Sequence, residues 1–298
     1  MHQAVLLQET IDGLDLKAGD VVIDGTLGRA GHAIGALLKE KGIFLIGIDR
    51  DEDAIEESRK KLMGAGVDPK SFRLFRGNFR NMDGFLKESG KDHADKIILD
   101  LGLSSPHLDS SGRGFSFKKN EPLLMTMEKN PNKDSFTARD IVNTWAQEDI
   151  ANVIYAYGDE RYSRRIAKAI VERRQKKSIE TTDDLVDIVS SSVPAIYKRG
   201  KIHPATRTFQ ALRIAVNDEL DSLKSALEIG LKSLKTGGRM AIISFHSLED
   251  RIVKNFMKEA QKNDYGEPFT KKPIVPDFEE ISQNPRSRSA KLRIFIKQ

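Results

Sequence analysis

Three glycines, at 25, 28 and 31, stand between an apolar run ending in Asp24 and a helical pattern that begins at His32. In open α/β sheets, ligands bind beyond the carboxyl ends of the strands. Glycines there let the backbone turn sharply and approach a ligand closely. The spacing is not the dinucleotide fingerprint G-x-G-x-x-G, and the Lys-Ser/Thr of a phosphate-binding loop is missing. A second apolar run ends in Asp49, whose carboxylate either accepts both hydroxyls of a ribose or caps the helix that follows. Asn78-Phe79, beyond a third run, brings an amide and a ring to the place a purine would occupy. An acidic start to the first turn, an acid for the ribose and no phosphate motif suit an adenosine cofactor with a positive centre. S-adenosylmethionine has that chemistry.

A fourth run ends in Asp100 and continues as Leu101-Gly102-Leu103-Ser104-Ser105-Pro106-His107-Leu108-Asp109. At this position of a methyltransferase sheet, the methyl group meets its acceptor. Asp100, Ser104 or a backbone carbonyl near Leu101 would accept N–H hydrogen bonds from an exocyclic amine. Taken alone, the segment reads equally well as a Ser-Pro turn. His246, after a later strand, is either a substrate contact or a structural histidine. The chain has no cysteine, which excludes disulfides, thiolate metal sites and the Cys nucleophile usual for methylation at ring carbon 5. The six histidines lack ligand spacing, so no metal site is expected.

The elements needed to position these groups are legible. Val21–Asp24, Ile43–Asp49, Phe72–Phe75 and Ile97–Asp100 read as buried strands separated by helices, the pattern of a doubly wound, mostly parallel sheet. From about Ser110 to Lys201 the periodicity is helical: Ala138–Trp145, Asp149–Tyr157, Tyr162–Arg174 and Thr182–Val193. One amphipathic helix is expected over Thr206–Leu234, stopped by Thr236-Gly237-Gly238. Met240–Phe245 and Leu292–Ile296 then read as strands, with a helix from Leu248 between them. Residues 266–289, with four prolines, read as a surface loop. The expected organisation is an α/β sheet domain (1–109 and 204–298) interrupted by an all-helical domain (110–203).

Charge is divided unevenly. Residues 1–110 carry 15 Lys or Arg against 19 Asp or Glu, and the remainder carries 34 against 25. The basic excess gathers at Arg161–Lys177, Lys198–Arg213 and Arg286–Lys297. Each stretch alone fits a solvated helix face, but three behind an acidic half point to a polyanionic partner, a nucleic acid. No apolar run approaches the roughly 20 residues of a membrane helix, and the first residues do not form a secretory signal. A cytoplasmic protein is expected, with a homodimer left open.

Ala4–Glu9, Asp24–His32, Asp100–Asp109, Arg113–Phe117, His203–Leu220 and Ser244–Arg251 occur in this order. Together they resemble the bacterial small-subunit ribosomal RNA cytosine-N4 methyltransferases over essentially the whole chain. The resemblance implies a class I (Rossmann-like) methyltransferase fold with an inserted helical domain. It implies S-adenosylmethionine as cofactor and 16S ribosomal RNA, in the small subunit or its precursor, as partner. The reaction it implies is methylation of the N4 amine of one cytidine in the decoding region. Position by position, the resemblance puts cofactor contacts on Ala30, Gly31, His32, Asp49, Phe79, Asp100 and His107; the reading of the residues themselves adds Gly28 to the cofactor turn and places Asp100, Ser104 and His246 at the reacting end. The chain departs from the family pattern at Ala4, Ala30, His107, Leu124 and Thr126. Rival readings are a methyltransferase acting on a small molecule or protein, and a non-enzymatic RNA-binding factor that has kept the fold.

Overall fold

The computed structural model describes residues 4–102, 111–129, 131–132, 135–200 and 202–298. The chain forms two compact units. One contains residues 1–102 and 220–298, the other Leu103–Glu219.

The first unit is a seven-stranded sheet in the order β3-β2-β1-β4-β5-β7-β6. Its strands are β1 (Val21–Asp24), β2 (Phe44–Asp49), β3 (Phe72–Arg76), β4 (Ala94–Asp100), β5 (Leu234–Ser244), β6 (Gly266–Pro268) and β7 (Lys291–Lys297). The first five are mutually parallel, β7 runs antiparallel to β5, and β6 antiparallel to β7. Continuous apolar runs form these strands because both faces are covered. Ile23, Ile46, Ile97, Leu99 and Ile242 face a cluster that includes Leu223, Leu227 and Val253. Their neighbours Val22, Leu45, Ile98 and Ala241 face one that includes Ile11, Ala33 and Leu62. The helices that cover the two faces include α1 (Leu7–Leu14), α2 (Gly31–Lys39), α3 (Glu52–Gly64) and α4 (Met82–Glu88), the last through Met82 and Leu86.

The second unit has its own core, built from Ile141, Ile154, Ile166, Leu185, Phe209 and their neighbours. Around it pack α5 (Ala138–Thr144), α6 (Gln147–Gly158), α7 (Ser163–Arg174), α8 (Thr182–Ser192), α9 (Ala195–Lys198) and α10 (Thr206–Asn217). Capping boxes Thr137/Asp140 and Thr181/Asp184 start α5 and α8. The departing segment around Leu124 and Thr126 is held internally. Asn217 donates from Nδ2 to the Met125 carbonyl (2.7 Å) and accepts from the Met127 N–H (3.0 Å), while Arg113 Nη1 donates to the carbonyls of Met127 and Glu128 (both 2.9 Å).

Three local expectations need correction. The helix expected over 206–234 is two helices, because Asp218 adopts the left-handed region (φ 50°) between α10 and α11 (Glu219–Ser233). The unit boundary lies at the same place, so α10 belongs with the helical unit, where residues to 203 were expected. Gly237-Gly238 is not a helix stop but an irregularity within β5, where pairing with β4 slips between Leu234 and Arg239. The expected 266–289 loop contains β6 and α13 (Phe278–Gln283), the latter capped by Asp277 accepting from the Glu280 N–H at 2.8 Å. Pro268 is tolerated because β6 is an edge strand. No helix among the described residues is long and apolar enough to cross a membrane.

Candidate active site at the carboxyl edge of the sheet

The turn after β1 is pinned strand by strand. The Gly25 N–H donates to the Ile98 carbonyl and that of Leu27 to the Ile48 carbonyl, both at 2.9 Å. A Cβ on Gly25 would come within 2.7 Å of the Leu99 side chain and 3.0 Å of Phe79 Cβ, so only glycine fits there. The turn closes at Ala30, a buried residue in the left-handed region (φ 59°), where glycine carries no side-chain penalty. Gly28 and Gly31, named with it, lie in the turn and at the first residue of α2.

Asp49 joins this turn to β2. Its Oδ2 accepts from the Gly28 N–H and its Oδ1 from the Asp51 N–H, both at 2.8 Å. The helix α3 takes Asp51 as its N-cap, so Asp49 is not that cap. A carboxylate has about four acceptor positions, and the two backbone bonds aim Asp49 where turn and strand end meet. Asn78 caps the short turn after β3 through the Arg80 N–H (3.1 Å) and donates from Nδ2 to Ser222 Oγ (3.0 Å). Phe79, half-buried beside it, packs on the sheet core.

Asp24, Asp100, His32 and Glu249 form the electrostatic centre. Asp24 is buried, and burial pushes its carboxyl up to about 7, with Asp49 adding to the rise and the Thr26 N–H opposing it. Burial, Asp24 and Glu249 raise Asp100 as well. The Asp100 N–H donates to Thr26 Oγ1 at 2.6 Å. A quarter of the Asp100 side chain reaches solvent, yet its Oδ1 is buried without a hydrogen-bond partner among the described residues. Burial lowers His32 to about 4, so the ring is neutral at pH 7. Its Nε2 lies 3.1 Å from the Val5 carbonyl, which can only accept, so Nε2 carries the proton and Nδ1 the lone pair. That lone pair lies 3.6 Å from Asp100 Oδ2. A protonated Asp100 would donate toward it. The arrangement disfavours two adjacent negative charges.

His246 stands at the start of α12 (Ser247–Lys262) as its N-cap. Its Nδ1 accepts from the Glu249 N–H (3.4 Å), its Nε2 lies 3.2 Å from Glu249 Oε1, and Glu249 Oε2 accepts from the N–H groups of Phe245 and His246 (2.8 and 3.3 Å). The ring thus caps α12 and is held by Glu249. Ser104 and His107 lie outside the described residues. Thr26 and Glu249 were not singled out from sequence. For Glu249 the signal was its spacing from a cap residue, obscured because His246 stands where Ser, Thr or Asp is usual.

Compared with known proteins, residues 1–298 match the MraW methylase family. The chain is 48% identical to Ribosomal RNA small subunit methyltransferase H of Hydrogenobaculum sp. (strain Y04AAS1), covering 98% of this chain and 95% of that one. It is 46% identical to the protein of the same name from Deinococcus deserti, covering 98% and 92%. Among solved structures, SMU.1697c of Streptococcus mutans, solved in complex with SAH, shares the fold with a TM-score of 0.50 at 12% identity, over all of both chains.

Proposed function

Since the chain belongs to the MraW methylase family, we propose that it methylates small-subunit ribosomal RNA from S-adenosylmethionine, at the exocyclic N4 amine of a cytidine. Near-full-length identity of 41–48% to relatives named as small-subunit ribosomal RNA methyltransferases carries this reading. The acidic centre at the sheet edge supports the cofactor. Asp100 Oδ1, buried and without a hydrogen-bond partner among the described residues, and the raised carboxyls of Asp24 and Asp100 suit a ligand bearing a positive charge. Bound there, S-adenosylmethionine supplies an electrophilic methyl group on a cationic sulfur.

The residues have separable tasks in this reading. Asp49 holds the turn through Gly28 and would accept ribose hydroxyls. Phe79 borders the purine, and Asp24 and Asp100 face the positive end. The cytosine amine is a poor nucleophile, because its lone pair is delocalised into the ring. Asp100, Ser104 or the Leu101 carbonyl accepts its N–H bonds, which localises the lone pair toward the methyl group. Holding the amine in line at near-attack distance can supply roughly 7–11 kcal/mol of the barrier reduction. The proton leaving the amine goes to water, so no strong base is required. The target cytidine must be unstacked to enter such a site.

Methyl transfer from isotopically labelled S-adenosylmethionine to purified small ribosomal subunits tests the reading. Label is expected in the 16S RNA fraction. Label in ribosomal protein, or none in either fraction, would overturn it.

A further inference from the structure

The basic stretch from Arg161 to Lys177 does not act as one patch. Arg173 pairs with Asp184 (3.6 Å), and Lys177 reaches the same carboxylate (3.8 Å). Arg174 is spent on the carbonyls of Val142 and Trp145 (3.1 and 2.8 Å), which end α5. Arg161, Lys198, Arg199 and Arg207, by contrast, pair with no carboxylate among the described residues. Arg161 and Arg207 instead line one cavity of about 260 Å³ within the helical unit, together with Ile196, Tyr197, Gly200 and Ile202.

This cavity is built. Tyr197 meets Tyr162 edge to face at 5.1 Å, and the Arg161 guanidinium lies 4.9 and 5.3 Å from the two ring centres. Glu160 is fully buried and fixes both tyrosines, accepting from the Tyr162 N–H (2.8 Å) and from the Tyr197 hydroxyl. Its carboxylate is therefore turned inward and engaged by these two donors. Arg207 is fixed by donating from Nη1 to the Asp159 carbonyl at 2.9 Å. Burial and Glu160 raise the Tyr197 hydroxyl while Arg207 and Arg161 oppose the rise, so both guanidiniums act on the same ring. Ile196 and Ile202 remain 74% and 45% exposed at the rim, an unusual placement for apolar side chains beside cations.

We propose that the cavity between Arg161, Tyr197 and Arg207 receives one unstacked nucleotide of the RNA substrate, base against Ile196 and Tyr197 and phosphate between the guanidiniums. The inference rests on the reading of the substrate as ribosomal RNA. Single-stranded RNA is recognised by stacking on aromatic and guanidinium planes with cations along the backbone, and this wall offers both. A second cavity in the same unit, lined by Trp145, Asp149, Asn152 and Val153, has an acid and no cation in its wall and is wrong for a polyanion.

The test uses the full chain, with Arg161→Gln and Ile196→Ser made singly and together, and Arg161→Lys as a second replacement. Both positions are exposed, so thermal unfolding should match wild type. Binding to purified small subunits and to protein-free 16S RNA is measured across a salt series, with S-adenosylmethionine affinity as control. The double variant should bind both RNA targets at least about tenfold more weakly and lose close to one phosphate's worth of salt slope, about 0.7–0.9 in log–log form. Cofactor affinity should not change. Arg161→Lys should keep the salt slope and lose part of the affinity, because the planar contact is gone. Unchanged affinity and slope in the double variant, beside a wild type that binds and methylates subunits, would overturn the inference alone. Weakened binding to subunits with unchanged binding to protein-free RNA would place a ribosomal protein in the cavity, and would also overturn it. A wild type that neither binds nor methylates subunits would remove the substrate reading on which the inference stands.

Discussion

Asp49→Ala is expected to weaken S-adenosylmethionine binding by about a hundredfold while leaving the protein folded. The proposed ribose contacts are hydrogen bonds to a charged acceptor, worth roughly 1.5–3 kcal/mol each, and every 1.4 kcal/mol is tenfold in affinity. The same carboxylate holds the Gly28 and Asp51 N–H groups, so its loss also loosens the turn against which the cofactor would lie. Asp49→Asn keeps one carbonyl acceptor and should fall between the two. Titration calorimetry on the folded variants reads this directly. Wild-type affinity in Asp49→Ala would take Asp49 out of the site and reduce it to a tie between the turn and β2.

The second large effect concerns Asp24 and pH. Its folded value of about 7 lies above an unfolded value near 3.9, so between those limits the folded state holds a proton that the unfolded state has released. Stability from this group is therefore full below about pH 4 and is lost as pH rises through 7, by about 4 kcal/mol in all. His32 has the opposite sign. Its folded value of about 4 lies below an unfolded value near 6.5, so its contribution grows as pH rises across that window. In the ligand-free wild type the two slopes largely cancel between pH 4 and 6.5, and the upward shift of Asp100 tips the balance toward loss. Asp24→Asn retains an acceptor for the Thr26 N–H and cannot ionise. Its stability relative to wild type should rise by about 4 kcal/mol between pH 4 and 8, as measured by urea unfolding. Parallel stability curves for the two proteins would mean that Asp24 ionises freely in the fold.

Much of this architecture is visible in the chain because its signals are local. Val21–Asp24 and the run ending in Asp49 are continuous apolar segments, the requirement for strands covered on both faces, and each ends in an acid proposed for the site. The glycine at 25 reflects a steric demand that any residue with a Cβ would violate. Signals that depend on distant partners were not legible. The left-handed Asp218 breaks a pattern that reads as one amphipathic helix, because the two halves bury their apolar faces in different units. The edge strand β6 pairs with β7, its partners lying 27 to 31 positions further along the chain, and nothing within 266–289 announces it. Arg174 and Arg164 look equivalent in sequence, yet only Arg174 sits where two helix-end carbonyls need a donor. The raised carboxyls at the sheet edge are likewise a product of packing. Asp24 and Asp100 lie 76 positions apart, and adjacent parallel strands bring them together.

The central claim is transfer to the N4 amine, and one measurement addresses it most directly. Small ribosomal subunits lacking the modification are incubated with this protein and S-adenosylmethionine. Their 16S RNA is then digested to nucleosides, and methylated cytidines are resolved by chromatography against standards with mass detection. The proposal predicts N4-methylcytidine, formed only when both protein and cofactor are present. Methylation at ring carbon 5 of cytidine, on another base or on a ribose hydroxyl would contradict it.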